Sequence, residues 1–387
     1  MSKTLEEIAE QLRDVDKKVQ LIYAFNGTGK TRLSREMKKL IAPKSEEGEG
    51  DEPARTKFLY YNAFTEDLFY WDNDLLNDDE QKLMIQPNTF TDWILVEQGQ
   101  EVNITRNFQN YTNDKLTPRF NAEYKTTIKD ELGQDKEVTV KAFSEVTFSL
   151  DTGGDGSSGN FKISKGEESN FIWSIFFTLL AMVVDVLKVA DPAERETDQF
   201  NNLKYVFVDD PVSSLDENHL IELAVNLAAL IKDAPQELKF VITTHNPIFY
   251  NVLHSELSSK LGYLLERLED GTFRLIEKSG DSNSSFSYHL YLKRTLEQAI
   301  AEDAVQKYHF TLLRNLYEKT AGFLGFSRWA QLLPDDKQTY YNRIIQFTSH
   351  SFLSNDAVPD PTPQEKQTLK FLLDNLIENY GYWKEDA

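Results

Sequence analysis

The sequence predicts an α/β domain followed by a mainly α-helical one, on three observations. Two short β-branched and aromatic runs, YVFV (Tyr205–Val208) and FVIT (Phe240–Thr243), are apolar on both faces and flank a helix-like segment, HLIELAVNLAALIK. Such runs read as parallel strands covered by helices. A third strand-like run, VQLIYAF, passes through a Gly-containing loop into a helix-patterned stretch. After about Leu264 the apolar spacing becomes largely helical.

In chain order, the first helix reads from Thr31 to about Ile41 and ends before an acidic, Gly-containing stretch, Ser45–Thr56, that reads as a surface loop. Residues 100 to 145 carry the weakest pattern. A Gly/Ser cluster, DTGGDGSSGN (Asp151–Asn160), joins two runs of strand character, Phe143–Leu150 and Phe161–Ser164. Ser169 to about Ala190 is apolar almost all round, but its uninterrupted apolar stretch is shorter than the roughly 20 residues a membrane span needs. Asp185 interrupts it, so it reads as a buried core helix. LLERLEDGTFRLIEK alternates around Asp270-Gly271, a hairpin signal. The helical remainder breaks at AVPDPTP (Ala357–Pro363), and a domain boundary is placed near residue 262, giving domains 1–262 and 263–387.

The 387 residues allow two or three domains. With 40% apolar and 27% charged residues and only 17 Gly and 12 Pro, the chain reads as folded, which excludes collagen-like, repeat-built and mainly disordered classes. The absence of Cys excludes disulfides, thiolate zinc sites and cysteine nucleophiles. MSKTLEEIAEQLRD lacks the basic start and apolar core of a signal peptide, so a cytoplasmic location with no membrane association is expected. The net charge of -21 opposes long-range attraction to nucleic acid by the whole molecule. That charge is uneven: residues 260–387 carry 15 Lys and Arg against 18 Asp and Glu, which leaves most of the excess upstream.

AFNGTGKT (Ala24–Thr31) stands between a strand and a helix and matches G-x-x-x-x-G-K-[ST] except that Ala24 replaces the first glycine. Asn26, Gly27, Gly29, Lys30 and Thr31 are therefore candidate nucleotide ligands. The two glycines let backbone N–H groups curl around phosphate oxygens, Lys30 reaches the terminal phosphates, and Thr31 ligates Mg²⁺. DDPVSSLD (Asp209–Asp216) follows the Tyr205–Val208 strand, with Asp209 expected to hold Mg²⁺ and Asp210 to orient or activate the attacking water. TTHN ends the next strand and places His245 to sense a γ-phosphate.

ISKGEES (Ile163–Ser169) is similar to the signature sequence of ABC-type ATPases, and SSLD (Ser213–Asp216) to their D-loop. Five such elements in order resemble the ABC-type ATPase superfamily over roughly residues 1–255. The resemblance implies a P-loop head in which Ser164 and Gly166 of one subunit touch the γ-phosphate held by another, hence a head-to-tail homodimer or higher homo-oligomer using ATP or GTP with Mg²⁺. Lys165 replaces the usual second glycine of the signature, and Asp210 stands where most members have Glu, which points to a slow switch.

Downstream, Arg314 and Glu318 lie four apart on one helical face and read, on spacing alone, as an i,i+4 ion pair. His350 lies in a separate element, with His289 and His309 as rivals. GDSNSSFSYH combines short hydrogen-bonding side chains with Phe286 and Tyr288, suited to unstacked bases. YAFNGTGKTRLSRE, YYNAFTEDLFYWDND, SKGEESNFIW, DDPVSSLD and the region around GDSN make the chain resemble, nearly end to end, the PrrC anticodon nuclease family. The resemblance implies an ABC-type ATPase head fused to a mainly α-helical C-terminal nuclease domain. It implies Arg314, Glu318 and His350 as the nuclease site and Asp281, Ser282 and Asn283 as tRNA-recognition residues, with lysine tRNA cut 5′ of the wobble base.

The family resemblance further implies silencing by a type I restriction-modification complex, release during phage infection, activation linked to GTP hydrolysis, and stabilisation of the active form by dTTP. Cleavage by 2′-OH attack needs no metal, since Glu or His can move the protons and Arg can neutralise the phosphate. The competing expectation is a non-catalytic ABC-type NTPase regulator or scaffold that binds a partner through its C-terminal third.

Overall fold

The computed structural model describes residues 2–43, 57–62, 65, 67–72, 81–87, 91–129, 135–150, 161–211, 217–258, 260–268, 270–278, 288–349 and 361–382. The chain divides into two compact units, Met1–Ser285 and Phe286–Ala387.

In the first unit the described elements run α1 (Leu5–Asp14), β1 (Val19–Tyr23), α2 (Lys30–Ile41), β2 (Phe58–Tyr61), β3 (Phe69–Asp72), β4 (Lys82–Ile85), a π-helical turn (Asp92–Glu97), α3 (Glu101–Asn110), β5 (Leu116–Phe120), β6 (Tyr124–Lys129), β7 (Asp135–Val140), β8 (Glu145–Leu150), α4 (Lys165–Lys188), β9 (Tyr205–Asp209), α5 (Glu217–Asp233), β10 (Lys239–Thr244), α6 (Pro247–Glu256), β11 (Lys260–Arg267) and β12 (Phe273–Lys278). The main sheet has the order β12-β11-β1-β10-β9-β2. Its strands pair in parallel except for β12, which folds back antiparallel on β11.

Every residue of β1 and of β9 is buried, as expected of a sheet covered on both faces. On one face Ile22, Phe207 and Val241 pack with Leu5, Ile8 and Leu12 of α1 and Leu33 and Met37 of α2. On the other, the Tyr23 ring meets Tyr250 of α6 edge-on at 6.1 Å. Thr4 starts α1 with a capping box: its hydroxyl accepts from Glu7 N–H while the Glu7 carboxylate accepts from Thr4 N–H at 2.7 Å.

β3, β4, β8 and β5 form a second, antiparallel sheet, and β6 pairs with β7. The described residues between 100 and 145, where the sequence pattern is weakest, form one helix and three strands that include a Pro118 within β5 and an exposed two-stranded ribbon. Phe161–Ser164, expected as a strand, is instead extended chain. It is tied to β8 by a Phe161 N–H to Phe148 carbonyl bond of 3.3 Å and ends in the N-cap of α4. Among described residues α4 alone is long and apolar enough to cross a membrane, but its apolar window is 72% buried within the protein, so it is a core helix.

The boundary expected near residue 262 falls inside β11. The hairpin read around Asp270-Gly271 is present, but it supplies the last two strands of the main sheet, so the first unit extends to Ser285. The second unit contains α7 (Tyr288–Ala301), α8 (Lys307–Leu324), a 3₁₀ turn (Trp329–Leu332), α9 (Lys337–Ser349) and α10 (Pro363–Asn379). Its core joins Leu292 and Leu296 of α7, Leu313, Leu316 and Tyr317 of α8, Ile344 of α9 and Leu369, Leu372 and Leu376 of α10. The Tyr317 hydroxyl donates to the Leu372 carbonyl at 2.8 Å, which satisfies the one polar atom of a ring placed in the core.

Candidate functional site

The end of β1 sets up the glycine-containing loop expected to hold a nucleotide. Ala24 continues the strand pairing, its N–H donating to the Thr244 carbonyl at 2.9 Å. It does not take a left-handed conformation, so a Cβ is accommodated where the motif usually has glycine. Gly27 and Gly29 do need that conformation, with φ of 80° and 108°. A Cβ on Gly29 would also lie 3.4 Å from the Phe273 ring. Gly29 is the N-cap of α2, which directs the helix N-terminus at the loop.

Lys30 opens α2 with only 7% of its surface exposed. Its Nζ donates to the Ala24 carbonyl at 3.2 Å and to Asn26 Oδ1 at 3.0 Å, and it lies 3.2 Å from Asp210 Oδ2. The ammonium is ringed by oxygens, the environment that a terminal phosphate would extend. One residue on, the Thr31 hydroxyl donates to Asp209 Oδ2 at 2.6 Å, while the Thr243 hydroxyl donates to the other oxygen of that carboxylate.

Asp209 is 2% exposed at the end of β9. Burial pushes its carboxyl up, and the Thr243 and Thr31 hydroxyls only partly oppose that. A hydroxyl and a carboxylate side by side are hard oxygen donors of the kind Mg²⁺ takes when it keeps several of its own waters. The two residues expected as metal ligands therefore fit such an ion.

Asp210 turns away from the strand with φ of 51°, a left-handed conformation that Asp tolerates better than most residues. Its N–H donates to the Thr243 carbonyl at 2.9 Å. The two carboxylate oxygens lie 2.8 and 2.6 Å from His245 Nδ1. Burial pushes this carboxyl up, but the His245 hydrogen bond and the Lys30 charge overcome it and hold the group below the usual carboxylate range. Neighbouring strand ends β1, β9 and β10 thus bring Lys30, Thr31, Asp209, Asp210 and His245 together.

Thr243 and Thr244 escaped the sequence reading. Thr244 Oγ1 lies 3.4 Å from Asp210 Oδ1 and accepts from Asn246 N–H at 3.0 Å, fixing the turn that carries His245. Their signal was present in TTHN, where two hydroxyls precede the histidine at a strand end.

Ser164 and Gly166 lie at the N-terminus of α4, where the hydrogen bonds stay local. Ser164 Oγ accepts from Glu167 N–H at 3.3 Å, and Lys165 pairs with Glu168 at 2.7 Å. Glu168 also accepts from the Trp71 indole at 2.8 Å, which ties the signature segment to β3. Among described residues no hydrogen bond joins Ser164 to the Lys30 cluster. The D-loop segment Ser213–Asp216 lies outside the described residues.

In the helical unit, Arg314 Nε donates to Glu318 Oε1 at 2.8 Å on one face of α8, both side chains about a third exposed. His350 lies outside the described residues, which reach Ser349 at the end of α9. Asp281, Ser282 and Asn283 lie outside them as well. Of the rival histidines, His309 is 3% exposed, accepts from Gln306 N–H on Nδ1 at 2.8 Å, and is held below its usual pKa by burial. His289 is half-buried, and burial together with the nearby Lys319 charge also depresses it.

No family model matches the chain. Among solved structures, an Smc head bound to the C-winged helix domain of ScpA is 12% identical, with a TM-score of 0.32 over 70% of this chain and 93% of that one. An SMC head domain from Thermotoga maritima is 11% identical, with a TM-score of 0.30 over 69% and 92%. Both likenesses are too distant to bear on what the chain does. By sequence the relationship is far nearer: the chain is 59% identical to an anticodon nuclease of Escherichia coli over 411 aligned positions, covering 100% of this chain and 99% of that protein. An identity of that level from end to end, on a chain with an α/β head and a helical C-terminal unit, places this protein in the PrrC anticodon nuclease family.

Proposed function

We propose that the protein is an NTP-gated endoribonuclease that cuts lysine tRNA in the anticodon loop, 5′ of the wobble base. The end-to-end identity with the Escherichia coli anticodon nuclease supports this reading most strongly, and the paired Arg314 and Glu318 on α8 supply chemistry suited to it. In the proposed reaction the ribose 2′-oxygen attacks the adjacent phosphorus while Glu318 or His350 takes its proton. The O2′–P bond forms, the P–O5′ bond breaks, and the other residue protonates the leaving 5′-oxygen. Arg314 neutralises the crowded phosphate. The products are a 2′,3′-cyclic phosphate and a 5′-OH, without a metal in the cleavage step.

The head gates that reaction. Asn26, Gly27, Gly29 and Lys30 bind the phosphates of ATP or GTP, Thr31 and Asp209 hold Mg²⁺, and Asp210 and His245 face the γ-phosphate. Ser164 and Gly166 complete the site of a second subunit in a homodimer, and dTTP stabilises the active form. Asp281, Ser282 and Asn283 read the wobble base. The toxin acts in the cytoplasm, silenced by a type I restriction-modification complex until phage infection releases it.

Incubating the protein with total tRNA and nucleotide, then mapping cleaved ends, tests the reading. Cuts at one anticodon-loop position with 5′-OH ends support it. NTP hydrolysis with intact tRNA would favour a regulator or scaffold instead.

A further inference from the structure

The helical unit contains a cavity of about 1040 Å³ bounded by the end of α8, the Trp329–Leu332 turn and the start of α9. Glu318 lines one wall. The volume reaches the upper end of the roughly 300–1,000 Å³ range of small-molecule pockets, and its lining mixes aromatic rings with cationic and amide side chains.

Trp329 and Tyr341 stack on each other in its lining, with ring centroids 5.1 Å apart and planes at 22°. Trp329 also meets the core ring of Tyr317 edge-on at 6.2 Å, so the pair is braced from behind. Both rings are half-buried and both line the cavity. Arg328 and Lys337 are exposed at its edge. Lys337 donates to the Gln331 carbonyl at 3.1 Å, and Arg328 forms no ion pair among described residues.

The local charge is opposite to that of the chain. Residues 307–343 hold six Lys and Arg against three Asp and Glu, within a molecule of net charge -21. A cationic, aromatic-lined cleft on such a protein suits a single-stranded polyanion whose bases have a π-face to offer.

We propose that this cleft seats the RNA strand next to the cut, with Arg328 and Lys337 on flanking phosphates and the Trp329–Tyr341 pair as the stacking surface for a splayed base. The inference rests on the nuclease reading above and assigns these residues to binding, while proton transfer stays with the Arg314, Glu318 and His350 set.

The test uses the full chain carrying Glu318→Gln to stop cleavage, and a synthetic anticodon stem-loop RNA titrated at several KCl concentrations. Arg328→Gln and Lys337→Gln are each expected to lower the slope of log affinity against log salt by about 0.7, the single-strand value for one phosphate contact. Tyr341→Leu is expected to weaken binding about tenfold with an unchanged slope, and Tyr341→Phe to restore it. In chains that retain Glu318, Arg328→Gln should raise KM for cleavage and leave kcat within about twofold, the signature of lost uniform binding. Parental affinity and salt slope in both charge variants would overturn the inference, even with tRNA cleavage intact. A parent chain that binds this RNA but never cleaves it counts against the nuclease reading alone, while no RNA binding at all removes both.

Discussion

Asp209 and Asp210 are adjacent in sequence but have opposite surroundings. Asp209 faces the hydroxyls of Thr243 in β10 and Thr31 in α2, whereas Asp210 turns out to a lysine and a histidine. The difference follows from the left-handed turn at Asp210, which sends its side chain off the strand path. Thr243→Val keeps the shape but removes a donor to a buried carboxylate, a loss typically worth about 1–3 kcal/mol. Nucleotide affinity in Mg²⁺ should therefore fall roughly tenfold, while affinity in EDTA stays near the parent value, as titration calorimetry in both buffers will show. Lys30→Ala removes a phosphate contact and its charge together, and nucleotide binding should drop below detection in the same assay. In the helical unit, Arg314→Ala and Glu318→Gln should each slow cleavage by about 10² or more. Steady-state NTP hydrolysis should persist in both, since no element of the head contains either residue.

At the level of elements, β11 and α6 make a close contact with a testable sign. A Cβ on Gly262 of β11 would collide with the Tyr250 hydroxyl oxygen, which is buried and has no hydrogen-bond partner among described residues. Gly262→Ala should destabilise the protein by about 1–3 kcal/mol in urea unfolding, through overpacking. Tyr250→Phe removes both the obstructing atom and the unsatisfied polar group, so the double variant should recover most of that loss; a double variant as unstable as Gly262→Ala would mean that the contact is not the cause.

The same elements show what was legible in sequence. β1, β9, β10 and α4 announced themselves because strands and helices covered on all sides are written in continuous apolar residues. The turn at Gly27 and Gly29 was legible because those glycines are dictated by backbone conformation. Ribbon β6–β7 was not, since a two-stranded pair exposed along β7 has no buried face to impose a pattern. The boundary was misplaced because β11 and β12 alternate like a free hairpin, and only long-range pairing with β1 shows that they finish the sheet. Trp329, Tyr341 and Arg328 gave no local signal, because their juxtaposition depends on how the α8–α9 connection folds back.

For the whole molecule, the chain divides into two compact units, and the proposed function places nucleotide chemistry in the first and RNA chemistry in the second. The proposed gating implies an assembly that nucleotide controls. Ser164→Arg should leave binding of one nucleotide per chain intact but abolish hydrolysis, and sedimentation in nucleotide should show the parent as a dimer or larger and this variant as smaller. Hydrolysis at the parental rate by this variant would rule out the shared site. The measurement that bears most directly on the central claim is end-mapping of total tRNA after incubation with the parent, Arg314→Ala and Glu318→Gln chains. The expected result is one lysine tRNA cut 5′ of the wobble base by the parent, with 2′,3′-cyclic phosphate and 5′-OH ends, and at least about a hundredfold less in each variant. Cleavage undiminished in both variants, or ends bearing 3′-OH and 5′-phosphate, would contradict it.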